Sequence, residues 1–170
     1  MSVWNLDQAF SWYNKQGWLV GCNFLPSSCI NQIEMFQEDT FKLDEIAKEI
    51  SWAKDLGFNT LRVYLHDLLW DEKDQFLIRF NNFLDCCQSF EIKPIIVLFD
   101  DCHYPFPQLG PQPLPIRGIH NSGWKQSPGH KIVTEIFELK TEKHLKRLQT
   151  YTQELLELYK EDERILMWDL

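Results

Sequence analysis

Four short apolar runs, residues 18–24 (WLVGCNF), 59–65 (NTLRVYL), 94–99 (PIIVLF) and 165–169 (ILMWD), limit this chain to a few folds. Most are too continuous for strands with one wet face, and a strand apolar on both faces must be covered on both. Helical patterns fill the intervals between them. Ile46, Ile50, Ala53 and Leu56 recur at helical spacing ahead of Gly57, a C-terminal cap. Phe76, Phe80, Phe83, Leu84 and Cys87 form a second stripe. Leu145, Leu148, Thr152, Leu155 and Tyr159 form a third, after a start at Thr141 with Glu142 in the first turn. Strand alternating with helix predicts an α/β fold of parallel strands joined by right-handed helical crossovers.

Pattern alone leaves an open doubly wound sheet and a closing (β/α)8 barrel as alternatives. No glycine-rich phosphate loop follows the first run, where a dinucleotide fold needs one, so the barrel is the expectation and no cofactor is assigned. A complete barrel takes about 250 residues, against 170 here. The expectation is therefore the N-terminal portion of a TIM barrel, with four β/α units in one partial domain spanning residues 1–170 behind an N-terminal segment at 1–17. One interval breaks the rhythm: residues 101–140 hold six of the eight prolines, five of them at Pro105, Pro107, Pro111, Pro113 and Pro115 and the sixth, Pro128, within HNSGWKQSPG at 120–129. A loop this long inside a compact domain is functional or disordered. Its Trp and His argue for function, and it follows the C-terminal end of the third strand, the face on which barrel enzymes keep their active sites.

Charge narrows the partners. Lys and Arg number 17 against 25 Asp and Glu, a formal charge of -8, which repels nucleic acid and anionic membrane surfaces and fits a neutral partner. No run of about 20 apolar residues is present to span a bilayer, and residues 1–7 lack the basic and apolar regions of a signal peptide. A cytoplasmic location is the expectation. Cys22, Cys29, Cys86, Cys87 and Cys102 are odd in number, two are adjacent and no CxxC pair occurs, which points to reduced thiols rather than a disulfide framework or a zinc site.

If the runs are barrel strands, the polar residues at their C-terminal ends converge on one mouth. These are Asn23, then His66 and Asp67, then Asp100, Asp101 and His103, then Asp169. Arg62, inside the second run, needs a carboxylate partner if it faces that mouth, or water if it lines a solvated edge. His66, Asp67, Asp100, Asp101 and His103 are metal-compatible types, but their spacing matches no metal signature and no metal is assigned. Asp100 and Asp101 are neighbours on an extended chain and point to opposite faces, which argues against a cooperating acid/base pair. Trp70, Tyr104, Phe106 and Trp124 fall off the helical stripes. Flat rings in polar loops either stack on sugar faces or pin the loop to the rim.

The motifs GCNF at 21–24, LGFNTLRV at 56–63, VLFD at 97–100 and ILMWDL at 165–170, in this order and spacing, resemble the first four strands of (β/α)8-barrel glycoside hydrolases of the cellulase and mannanase type, family 5-like and often described as 1,4-beta-xylanase-like. Segments similar to residues 31–37 (NQIEMFQ), 63–70 (VYLHDLLW) and 120–129 also occur in bacterial members. The resemblance implies hydrolysis of a β-glycosidic bond with retention, by two carboxyl groups about 5 to 5.5 Å apart and through an oxocarbenium-like transition state. It places the acid/base glutamate shortly after Leu170 and the nucleophile at the end of the seventh strand, so that no catalytic residue falls within the chain. It makes Arg62 the strand-two arginine that pairs with the nucleophile, and Asp100 an aspartate leading toward an active-site histidine. Cys102 occupies the usual place of that histidine, and His103 stands one residue late. By position, Asn23, His66, His103, Asn121 and Trp124 are the accompanying candidates for substrate-binding or supporting roles.

The expected partners are a carbohydrate substrate and the remaining C-terminal half of the barrel. Two alternatives stay open: a truncated, non-catalytic piece serving in binding or assembly, and an unrelated TIM-barrel enzyme with metal-assisted chemistry. A half barrel alone leaves two open edges and inward-facing apolar side chains exposed, and is expected to self-associate.

Overall fold

The computed structural model describes residues 3–101 and 103–170. Four strands, β1 (Gly21–Asn23), β2 (Thr60–Tyr64), β3 (Lys93–Val97) and β4 (Met167–Asp169), form one parallel sheet in the order β1-β2-β3-β4. Each strand lies beside the next in sequence: Asn23 is level with Arg62, Arg62 with Ile95, and Ile95 with Met167. Helix α1 (Leu6–Gln16) precedes β1, and α2 (Gln32–Phe36) and α3 (Leu43–Asp55) link β1 to β2. A short 3-10 helix (Asp67–Glu72) and α4 (Lys73–Ser89) link β2 to β3; α5 (His130–Phe137) and α6 (Glu142–Tyr159) link β3 to β4. The fold is α/β, with a parallel sheet and helical crossovers, as the alternation of runs and stripes predicts.

Side-chain alternation divides the sheet into two unlike faces. Leu61 and Val63 of β2 and Ile96 of β3 are buried in one cluster with Ile46 and Ile50 of α3, the phenylalanines of α4, and Tyr151 and Leu155 of α6. Phe36 lies at the centre of this cluster. Its ring meets Phe76, Phe80 and Phe83 edge-on at 5.8, 6.0 and 5.7 Å, the arrangement that aromatic quadrupoles favour. On the opposite face Arg62, Tyr64, Ile95, Met167 and Asp169 are only half-buried. Among the described residues no helix is long and apolar enough to cross a membrane.

Several local expectations are corrected. Only residues 21–23 of the first run pair as a strand. Residues 18–20 are instead clasped by Asn59, whose carboxamide oxygen accepts from the Val20 N–H and whose amide donates to the Trp18 carbonyl, both at 2.8 Å. Leu56 does not join the buried stripe of α3 and is 75% exposed. The helix stops at Asp55, and Gly57, at φ 86°, turns the chain so that its own N–H bonds the Lys54 carbonyl and that of Phe58 bonds Ala53. The interval 101–140 is not loop throughout, because residues 130–137 form α5. Trp70 lies in the 3-10 helix, edge-on to Phe76 and Tyr151, and so packs against the core rather than presenting a loop face to a sugar. On α6 the buried residues are Tyr151, Leu155 and Tyr159, while Leu145 is exposed.

The phenylalanine cluster carries a direct expectation. Phe36→Ala, which opens a cavity among three rings, lowers the unfolding free energy by about 3–5 kcal/mol in urea titration. Trp52→Ala, at an exposed position, changes it by less than about 0.5 kcal/mol.

Candidate active-site mouth

The long loop is fixed to the end of β2 by two buried polar residues. Asp67 is fully buried; its Oδ2 accepts from Arg147 Nη1 at 2.6 Å and its Oδ1 from Ser127 Oγ at 2.8 Å. Ser127 Oγ accepts in turn from the Asp67 N–H at 3.1 Å, and Arg147 Nη2 donates to the Asp67 carbonyl and to Asp71 Oδ1, both at 3.0 Å. A buried carboxylate is tolerated only with such partners. The adjacent His66 is equally buried. Its Nε2 donates to the Gln126 carbonyl at 2.9 Å and its Nδ1 accepts from the Leu68 N–H at 3.2 Å. These partners require a neutral imidazole with its proton on Nε2, and burial pushes the pKa of His66 down.

The loop then folds back on itself over α2. Asp100 and Ser127 exchange backbone hydrogen bonds at 2.8 Å each, and the Gln126 N–H bonds the Tyr104 carbonyl at 2.9 Å. Beneath this ladder, Asn31 Nδ2 donates to the Gly123 carbonyl and to Gln112 Oε1, both at 2.9 Å. Gln32 holds the backbone of Lys125 with both ends of its carboxamide, and Gln37 holds that of Gly110 likewise. Gly123 is needed at the closest approach, since a Cβ there would lie 2.6 Å from the Ile30 methyl.

So anchored, the loop brings its functional groups to the half-buried sheet face. Arg62 donates to Asp169 Oδ2 from Nε at 2.9 Å and from Nη2 at 2.7 Å, and its third nitrogen contacts the Tyr64 hydroxyl. The Tyr64 ring stands edge-on to Trp124 at 5.2 Å. Trp124 Nε1 donates to Asp100 Oδ2 at 2.7 Å, and His103 Nδ1 lies 2.8 and 2.7 Å from the two oxygens of the same carboxylate. His103 Nε2 accepts from Asn121 Nδ2 at 3.1 Å. A continuous ribbon therefore runs from β4 across β2 to the tip of the loop.

Comparison with known proteins adds nothing to this geometry. No family model, no curated protein and no solved structure matches the chain.

Of the residues singled out by sequence, the structure brings Arg62, Asp100, His103, Asn121 and Trp124 into this ribbon. His66 stands behind it; both of its ring nitrogens are occupied by the backbone, so it supports the loop and offers nothing to a ligand. Asn23 is level with Arg62 but exposed on β1, and among the described residues its side chain joins no hydrogen bond. Cys102 lies outside the described residues. Among the described residues no group of three or more His, Cys, Asp or Glu side chains is placed to hold a metal ion.

Sequence reasoning overlooked Tyr64, Ser127, Arg147 and the carboxamides of α2. A signal for Arg147 existed: it precedes Tyr151, Leu155 and Tyr159 at steps of four and so lies on the inward stripe of α6. Tyr64 is two residues beyond Arg62 on a strand and must share its face.

The ribbon thus sets hydrogen-bonded polar side chains beside the aromatic rings of Tyr64 and Trp124. A pH dependence follows from His66. Its folded pKa lies below the ordinary value of about 6.5, so its contribution to stability is complete above that pH and is lost as pH falls below it toward the folded value. His66→Gln is expected to abolish this part of the acid limb in urea titrations run at successive pH values. At neutral pH it costs about 1–3 kcal/mol, because it leaves the Leu68 N–H without its acceptor.

Proposed function

We propose that this chain supplies the first four β/α units, and one wall of the sugar cleft, of a retaining β-glycoside hydrolase built on a (β/α)8 barrel. The observation that carries the reading is the ribbon itself. Arg62 is held in two places by a carboxylate at the end of β4, and Tyr64, Trp124, Asp100, His103 and Asn121 continue from it at the C-terminal ends of parallel strands. That is the end of the sheet where barrel enzymes assemble their sites. The strictly sequential strand order also favours a barrel, because a doubly wound sheet places its first strand in the interior.

Each residue then has a definite task. The exposed amide of Asn121 hydrogen-bonds sugar hydroxyls, the imidazole of His103, held between Asp100 and Asn121, orients that amide, and Trp124 offers its indole face to the ring carbons. Asp100 is a positioning residue: its two oxygens orient both the imidazole and the indole. Arg62, kept straight by Asp169, lies beside the place where a nucleophilic carboxylate stands in such enzymes, and its charge favours the ionised form of that carboxylate. The two carboxyl groups that break the bond, one protonating the leaving oxygen and one attacking the anomeric carbon, are contributed by residues outside these 170.

The test is made on a polypeptide in which this chain is joined to whatever its gene encodes after Leu170. The proposal expects an Asn-Glu pair directly after the fourth strand, a further strand-end glutamate in a later strand, and hydrolysis of β-linked aryl glycosides or polysaccharides with retained anomeric configuration. Trp124→Ala should lower kcat/KM by about tenfold. Arg62→Lys, which cannot reproduce the two-pronged bond, should lower kcat by about a hundredfold. Absence of such glutamates, or inactivity on every β-linked substrate, contradicts the proposal.

A further inference from the structure

Lys125 is the one buried lysine among the described residues, 4% exposed, in a chain of formal charge -8. Two neighbours fix its backbone. Tyr104 donates its N–H to the Trp124 carbonyl and accepts at its own carbonyl from Gln126, while Gln32 accepts from the Lys125 N–H at 3.4 Å and donates to the Lys125 carbonyl. His103 and Trp124 turn into the ribbon, so Tyr104 and Lys125, the next residue of each segment and paired with one another, turn to the opposite side of the loop. There the Lys125 ammonium stands over the Tyr104 ring, 5.2 Å from its centre. Among the described residues no carboxylate pairs with this ammonium, no group hydrogen-bonds it, and the Tyr104 hydroxyl is also without a partner. Asp67 and Arg79, likewise buried, differ: the first holds Arg147 and Ser127, and the second donates to the Phe36 carbonyl. An ammonium withdrawn from water is costly unless paired, and a ring face offsets only part of that cost.

We propose that Lys125 and Tyr104 form a binding site for the carboxylate of a small organic acid, on the side of the loop away from the ribbon. The ammonium and the phenol O–H are two donors with no acceptor, and a carboxylate brings two oxygens to receive them. One ammonium balances one negative charge, whereas a phosphate dianion calls for more than one cation. Tyr104 is 41% exposed, which leaves ring surface for the body of the acid to lie against. The ties from Gln32 and Tyr104 hold the lysine in place before any ligand arrives, so little freedom is lost when one binds. The site is made by α2 and the loop after β3 and involves neither outer strand of the sheet. This inference does not rest on the glycosidase reading, and it concerns residues outside the ribbon.

The experiment is a carbon–proton NMR titration of the 170-residue chain at fixed ionic strength with sodium acetate and sodium glucuronate, with sodium chloride and glucose as controls. The Lys125 side-chain signal is identified by its loss in Lys125→Met, and the Tyr104 ring signals by their loss in Tyr104→Phe. The expected result is a saturable shift of both residues with each carboxylate and none with chloride or glucose. Lys125→Met keeps the apolar stem and removes the unpaired charge, so it should unfold at a urea concentration no lower than the parent chain does. Its affinity for glucuronate, read at the Tyr104 ring, should fall by about tenfold or more. Tyr104→Phe, which loses only the hydroxyl, should weaken glucuronate by about threefold or more, read at Lys125. Four results would overturn the proposal: no saturable shift with either carboxylate, an equal shift with chloride, unchanged affinity in Lys125→Met, or a marked loss of stability in that variant, which would make the ammonium a structural group.

Discussion

One buried charge organises the C-terminal end of the sheet. The Asp67 carboxylate cannot remain in an apolar interior without partners, and the partners it takes come from two distant segments, Arg147 on α6 and Ser127 in the long loop. By satisfying that charge the chain fixes the end of β2, the return of the loop and the start of α6 relative to one another. The neutral imidazole of His66 adds a second tie to the same loop through the Gln126 carbonyl. Everything at the mouth depends on this fastening, since Asn121 and Trp124 lie within a few residues of the pinned segment.

The two faces of the sheet divide the labour. The face that carries Leu61, Val63 and Ile96 meets the helices and supplies the apolar cluster that stabilises the unit. The face that carries Arg62, Tyr64 and Asp169 holds the polar ribbon. An arginine inside a parallel strand is costly unless paired, and here the pairing spans two strands, from β2 across β3 to the end of β4. Tyr64 is the joint between this ion pair and the loop: its hydroxyl touches the guanidinium and its ring meets the edge of Trp124. Each polar group of the ribbon is therefore already oriented by a neighbour.

Much of this was legible in the sequence because it follows from period and continuity. The four runs, the phenylalanine stripe of α4 and the need of Arg62 for a carboxylate are local or nearly local statements. The identity of that carboxylate was not legible, because Asp169 is brought to Arg62 only by the pairing of β3 with β4. The support that Asn31, Gln32 and Gln37 give to the loop is likewise non-local, since nothing in a run of carboxamides says which backbone they will hold. The misreading of α6 has a specific cause. Leu145, Leu148 and Thr152 do form an apolar side, but they line a groove of about 510 Å³ with Phe99, Val133, Ile136 and Phe137, while the stripe facing the core begins with a charged residue, Arg147. Hydrophobicity alone finds Leu155 and Tyr159 but misplaces the first half of the stripe, where a half-buried arginine leads the core-facing side.

The account stands or falls on whether the ribbon at the mouth recognises β-linked sugars. The most direct measurement is a nitrogen–proton NMR titration of this chain with β-linked gluco-, manno- and xylo-oligosaccharides, with an α-linked glucan as control. The Trp124 indole resonance is identified by its loss in Trp124→Phe. The account predicts that a β-linked ligand shifts the Trp124 indole N–H, the Asn121 carboxamide and the His103 ring signals together, and that the α-linked ligand does not. Resonances of the mouth left unmoved by every β-linked ligand, or shifts confined to residues elsewhere, would contradict it.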